Sequence, residues 1–356
     1  MKWKQTIPAL TLAGLLGLSG CSAMLERSWQ VVTPHPEHPV TADDADTLRA
    51  ETYQDLVNDV LYFVKQGIES GSIRLVNYTR DVEADLNNAC LEVAKDAPLG
   101  AYAVDYIEHD STRVVEYYEA RIRIGYRRTP EQIKSIKNVT GSGAIRQVLQ
   151  DKLGRFAPEA VLQVAYFAED EAYIASLIRQ TYYDTPAAAL GMPDYTVTLY
   201  PADAGQERIV EILLTYPEPT EELRTKSQEL LQAAGALLPS FQEEEGDAAA
   251  RAVVRLLRQK VRAGTGPTAY DALIGGEADS EGMALAFQLL CQTAGLDSQV
   301  VQGTLDGMSR FWNVFAIAPG RYAHVDPSAG DAVLLSDASM TALGYVWDQN
   351  TVPNCI

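Results

Sequence analysis

The sequence predicts an α+β fold in three folded units, two small ones that repeat a single pattern and a third of different character. Strand-length segments alternate apolar and polar residues at period two, and capped helical segments are interleaved with them. The order of elements recurs after about 90 residues and gives way near residue 246 to a new set of motifs.

The chain opens on Lys2 and Lys4, followed by an apolar run over 7–18. A helix needs about 20 apolar residues to cross a bilayer, so this shorter run reads as the core of a removable leader spanning 1–20. The run ends in Leu18-Ser19-Gly20-Cys21, which resembles the lipobox of bacterial lipoproteins. Small residues there let a peptidase grip an extended chain, and the cysteine thiol takes the lipid. An ordinary secretory leader followed by a chance cysteine is the alternative. The resemblance implies a mature chain held on the extracytoplasmic face of a membrane through lipid on Cys21, since two or three acyl chains anchor stably. Residues 21–45 contain Pro34, Pro36 and Pro39 with little apolar periodicity, and read as an extended tether.

Composition narrows the partners. Lysine and arginine number 29 against 48 aspartates and glutamates, a formal charge of −19 that becomes −21 once Lys2 and Lys4 leave with the leader. Such acidity argues against nucleic acid and against a polybasic grip on anionic lipid. The four histidines, His35, His38, His109 and His324, have no close-spaced cysteines beside them, so no metal site is expected, and no motif implies any other cofactor. With Cys21 given to lipid, Cys90, Cys291 and Cys355 remain, enough for one disulfide, with Cys291–Cys355 a candidate pair.

The first repeat is assigned to 46–142. It predicts a helix over 48–66, a strand over 73–78, a helix over 81–95, strands over 101–107 and 114–126, and a helix opened by Thr129-Pro130-Glu131. The second, assigned to 143–245, predicts helix 144–153, strand 161–167, helix 170–182, strands 195–200 and 208–216, and a helix from Pro219-Thr220-Glu221 to 231. Tyr126 and Tyr216 end matched strands, each followed by a proline. Tyr118, Ala120, Ile122, Ile124 and Tyr126 share one face, with Glu119, Arg121, Arg123 and Arg127 on the other. Tyr102, Val104 and Tyr106 alternate likewise, as do Val210, Ile212, Leu214 and Tyr216. One-sided sheets call for helices on the apolar face and water on the polar one. The tyrosines read as core residues with hydroxyls at the rim rather than a ligand groove, and the arginines as a solvated face.

The last unit, 246–356, carries the motifs. A helical run over 248–261 leads to Tyr270-Asp271-Ala272-Leu273-Ile274-Gly275-Gly276, then to Asp279-Ser280-Glu281-Gly282-Met283-Ala284 opening an apolar helix. Arg310-Phe311-Trp312-Asn313-Val314 and Tyr322-Ala323-His324-Val325-Asp326-Pro327-Ser328 follow. In this order and spacing the segment resembles the bacterial transglutaminase-like domains, a branch of the papain-like architecture. That resemblance implies a helix opening on Cys-Glu-Gly, a His-Ala-Trp-Asn strand and an Asp-Pro-Thr strand, with a thiolate, an imidazole and a carboxylate working together. Here the nucleophile position is Ser280, the imidazole position Arg310 and the carboxylate position Asp326; only the last agrees.

A serine hydroxyl needs a base within hydrogen-bond reach, and an arginine, with a pKa above about 12, cannot accept its proton. The nucleophile and its base are thus both lost, which points away from turnover. The competing reading is an acyl-transfer or peptide-hydrolysing enzyme in which His324, two residues before Asp326 on a strand, serves Ser280 as base. Against it, Asp279-Ser280-Glu281 reads as a helix cap, with Arg310 and Asp326 paired ionically. Cys291 lies on the apolar side of its helix and reads as a buried thiol, not a displaced nucleophile. The expected function is a non-catalytic, membrane-anchored module that binds a protein, peptide or cell-wall ligand.

Overall fold

A computed structural model describes residues 47–202, 207–329 and 333–356, so the leader, Cys21 and the tether lie outside the described residues. The fold is α+β. No described helix is long and apolar enough to cross a membrane.

The first unit runs β1 (Thr47–Ala50), α1 (Tyr53–Gln66), β2 (Ser70–Val76), α2 (Val82–Lys95), α3 (Pro98–Ala103), β3 (Val104–Val114), β4 (Tyr117–Tyr126) and α4 (Pro130–Lys134). Helix α1 starts where Thr52 and Asp55 cap each other reciprocally, and stops at Gly67, whose φ of 68° suits glycine. This start falls later than expected because Leu48 and Ala50 belong to a strand paired in parallel with β2. Residues 101–103, expected to open a strand, instead finish α3. Pro98 sets its first turn, and Gly100 lies so close to the Val93 carbonyl that a Cβ would sit 1.7 Å from its oxygen. Tyr102 is therefore a fully buried helical residue, while Tyr106 is exposed.

The second unit runs β5 (Lys137–Val139), α5 (Gly141–Gly154), β6 (Glu159–Ala165), α6 (Glu171–Asp184), β7 (Asp194–Tyr200), β8 (Glu207–Thr215) and α7 (Thr220–Leu237). Strand β5, inside the span assigned to the first repeat, pairs with β6 and so belongs to the second sheet. The sheet orders, β1-β2-β4-β3 and β5-β6-β8-β7, correspond strand for strand, each with one parallel pair and two antiparallel ones. Tyr126 Oη lies 3.0 Å from the carbonyls of Phe63 and Ile68, and Tyr216 Oη donates to Ala157 O at 3.2 Å. In both units a tyrosine at the end of the last strand thus ties down the chain around the end of the first helix.

The face of the second sheet expected to be wet is partly covered. Helix α3 packs against β7 and β8, setting Tyr102 edge-on to Tyr200 at 5.5 Å between ring centres. Glu211 is buried there, taking Arg128 Nη2 at 2.6 Å and Tyr200 Oη at 3.0 Å.

The third unit contains α8 (Gly246–Lys260), β9 (Arg262–Ala263), β10 (Glu277–Ala278), α9 (Ser280–Thr293), β11 (Ser298–Leu305), β12 (Met308–Ala318), β13 (Arg321–Val325), β14 (Val333–Leu335), α10 (Asp337–Ala342) and β15 (Tyr345–Trp347). Its antiparallel sheet has the order β14-β13-β12-β11-β15, with β9 and β10 forming a separate short parallel pair. Helix α9 is buried from Gly282 to Cys291 and lies on one face of the sheet against Phe311 and Phe315. Its core is not confined to 246–356: Phe156, Tyr182, Leu223 and Leu230 from the second unit join it. A fragment cut at residue 246 would lose those partners. Cys90, Cys291 and Cys355 are free and buried, with Cys291 in the α9 core and Cys355 in the cluster around Trp312, so Cys291 and Cys355 are not bridged. Burial raises all three thiol pKa values, that of Cys355 to about 12, which leaves Cys291 inert as a nucleophile.

Candidate functional site

The start of α9 is built by its own cap. Asp279 accepts the amides of Glu281 at 2.8 Å and Gly282 at 3.0 Å through Oδ1. Gly282 is required by packing, since a Cβ would stand 2.4 Å from the Gly266 carbonyl oxygen. Ser280 occupies the first helical position, and its Oγ accepts the Phe311 amide of β12 at 3.3 Å. One residue further along β12, Trp312 is fully buried; Asn313 donates to Ala284 O at 3.0 Å, fastening the strand to α9. These two residues pack and hydrogen-bond without carrying chemistry.

The motif brings Ser280 and Arg310 to one cleft, with Asp326 buried behind Arg310. Arg310 Nε donates to Asp326 Oδ2 at 2.8 Å. The same oxygen accepts the Tyr345 hydroxyl at 2.8 Å, while Oδ1 accepts the Ser328 amide and hydroxyl and the Ala329 amide at 2.9, 2.7 and 3.1 Å. Asp326 is fully buried, and each carboxylate oxygen is saturated by these partners. It braces the turn after β13 and neutralises a cation; among the described residues no imidazole lies between it and Ser280.

His324 does not serve Ser280. Its Nδ1 takes the Trp312 indole N–H at 3.0 Å and its Nε2 faces Asp337 Oδ1 at 2.8 Å, with the ring fully buried beside Trp347. An indole can only donate, so Nδ1 is the acceptor and the proton sits on Nε2, directed at Asp337. Burial lowers the His324 pKa more than Asp337 raises it, keeping the ring neutral. Asp337 in turn accepts the Cys355 amide through Oδ2 at 3.1 Å, completing a clasp that holds the C-terminal segment beside β13. Although His324, Asp337 and Cys355 offer ligand atoms within 4.8 Å of one another, a metal on Nε2 would displace the proton that the Trp312 bond fixes there. The arrangement suits a closed hydrogen-bond chain, not an ion.

Around Ser280 and Arg310 opens a cleft of about 500 Å³, which Arg258 and Arg262 also line. Sequence reasoning missed these two arginines because they come from the end of α8 and from β9, and reach the cleft only through tertiary packing. Glu281 turns away from it and accepts Tyr183 Oη at 3.0 Å, with desolvation raising its pKa.

No protein-family model matches the chain, and no curated protein is significantly similar to it. Solved structures that resemble it include a candidate cysteine protease from Cytophaga hutchinsonii, at 11% identity and a TM-score of 0.26, covering 44% of this chain and 65% of that one. A protein described as a TGase matches at 12% identity and a TM-score of 0.27, over 52% of this chain and 57% of that one. A candidate protease from Parabacteroides distasonis matches at 9% identity and a TM-score of 0.24, over 73% of this chain and 40% of that one. The chain spans under two thirds of the length of each of these structures. Similarity at this level leaves the site to be read from its own geometry.

Proposed function

We propose that the protein is a lipoprotein, anchored through Cys21 on the extracytoplasmic face of a membrane. Its C-terminal transglutaminase-like unit holds a protein, peptide or cell-wall ligand without turning it over, and two α+β units read as copies of each other carry it. The observation that bears the non-catalytic reading is the Arg310–Asp326 pair: a permanent cation stands at the imidazole position, and its carboxylate is fully occupied. Among the described residues Ser280 has no proton acceptor to activate it, since both nitrogens of His324 are engaged elsewhere.

In transamidase and peptidase assays the whole mature chain is expected to show no turnover, and Ser280→Ala to change nothing. The pair Ser280→Cys with Arg310→His is expected to restore a thiolate facing an imidazole, and either single change to do far less, because such groups act as a unit. Labelling of wild-type Ser280 by a fluorophosphonate, lost in His324→Ala, would overturn this reading in favour of a serine enzyme.

For the anchor, Leu18-Ser19-Gly20-Cys21 motivates a direct test. Cys21→Ser should release the protein from membranes or leave it unprocessed. A mature, lipid-labelled Cys21→Ser protein in the membrane fraction is the contrary result.

A further inference from the structure

The cleft beside Ser280 runs against the charge of the chain that contains it. The protein has a formal charge of −19, yet this cleft is lined by Arg258, Arg262 and Arg310, with Asp279 as the one acidic residue among its described lining. Asp279 is already turned to the amides of α9. Arg310 is only partly neutralised, because Asp326 takes its Nε. Arg258 donates to the carbonyls of Pro327 and Ala329 at 3.3 and 2.7 Å, which fixes the guanidinium, and it has no carboxylate partner among the described residues. Arg262 is exposed and has no ion-pair partner among the described residues. Two of the three cations are therefore held in place by the protein before anything binds, which removes much of the rotamer entropy that a flexible arginine loses on binding.

Hydrogen-bond polarity agrees with charge. Ser280 Oγ already accepts from Phe311, so its own hydrogen is free to donate. The opening therefore offers donors from a hydroxyl and from guanidinium edges, whose planar forks match a carboxylate in two-point geometry. Val261, Met283 and Pro327 supply an apolar wall to the same cleft. A bare inorganic anion would leave that wall unused. A small group with an anionic end and an apolar body would satisfy both.

We infer that this cleft recognises the free C-terminal carboxylate of a peptide, with the carboxylate between Arg310, Arg262 and Ser280 and the last side chain against Val261, Met283 and Pro327. This rests on the reading of the cleft as a non-catalytic binding site and gives that site its ligand chemistry. A cleft of about 500 Å³ is in the range of small-molecule sites and takes one or two residues of a chain end. Because the remainder of the protein repels anions, the attraction acts only at contact range, where salt screens it little, while added salt screens the long-range repulsion.

The test uses the full-length chain in detergent and two randomised N-acetyl tripeptide libraries, one ending in the free carboxylate and the other in the carboxamide. Saturable binding of the free-acid library is expected, at least tenfold stronger than that of the amide library. Arg262→Gln, an exposed change that leaves the Asp326 network intact, should reduce it at least fivefold without moving the melting temperature. Arg310→Gln should reduce it further. Equal binding of acid and amide, no saturable binding of either, no effect of Arg262→Gln, or displacement by inorganic phosphate as effective as by the acid would each overturn the inference. Cleavage or transamidation of the bound peptides would instead sink the non-catalytic reading, while selective acid binding in the same experiment would leave carboxylate recognition standing.

Discussion

Asp326→Ala is expected to destabilise the protein by roughly 3–5 kcal/mol, the range for breaking a buried ion pair by deleting one partner. The side chain is fully buried and accepts from Arg310, Tyr345, Ser328 twice and Ala329. Its removal strands a guanidinium that is only 22% exposed, together with two amides and two hydroxyls. Each neutral group left without a partner in a dry site costs about 1–3 kcal/mol, with water able to recover part of that at the cleft edge. In a working catalytic triad the same substitution would chiefly reduce turnover. Urea unfolding of the whole mature chain distinguishes the two roles. A loss below about 1 kcal/mol would mean that the carboxylate is not the brace for the 326–329 turn. Asp326→Leu combined with Arg310→Met should recover part of the loss, because a buried pair replaced on both sides leaves no unpaired charge.

What could be read beforehand followed the reach of the interactions. The alternating strands were legible because period-two patterning is local: Ala120, Ile122 and Ile124 are buried while Arg121 and Arg123 are exposed. The helix start at Thr129, before α4, was legible for the same reason. The motif also located Ser280, Arg310 and Asp326. Tyr102 was misplaced on a strand because α3 depends on Gly100 fitting beneath the Val93 carbonyl, a contact no alternation encodes. The burial of Glu211 was not legible, because Arg128 and Tyr200 cover it from outside its own strand. His324 looked available as a base because spacing shows that a residue two before Asp326 points the same way, but not that Trp312 and Asp337 have taken both ring nitrogens. The cleft arginines share this cause, since Arg258 and Arg262 converge on Arg310 only after α8 and β9 are packed.

Replacing Asp59 should stabilise the protein, by an amount that grows with pH. Asp59 sits on the core-facing stripe of α1 with Leu56, Val60 and Phe63, is only 2% exposed, and its Oδ2 has no hydrogen-bond partner among the described residues. Burial, helped by the nearby Asp55 carboxylate, pushes its pKa up to about 8 from 3.8. In the unfolded chain the carboxyl ionises near pH 4, whereas in the folded protein it holds its proton until about pH 8. Between those values the folded state binds the extra proton, so stability falls as pH rises, by about 1.4 kcal/mol per pH unit. Below about pH 4 both states are protonated and the penalty vanishes; above about pH 8 it is complete and no longer changes. Other titrating groups add their own slopes to the wild-type curve, so the informative quantity is the difference from a neutral variant. The gap between Asp59→Asn and wild type should be near its minimum at pH 4 and widen by roughly 4 kcal/mol by pH 7. Asp59→Leu should show the same slope with a further gain, because it also removes a buried polar group that lacks a partner. Unfolding free energies of the three proteins at half-unit intervals from pH 4 to 9 would settle the matter, and a constant gap across that range would show that Asp59 is already ionised, or already solvated, in the folded protein.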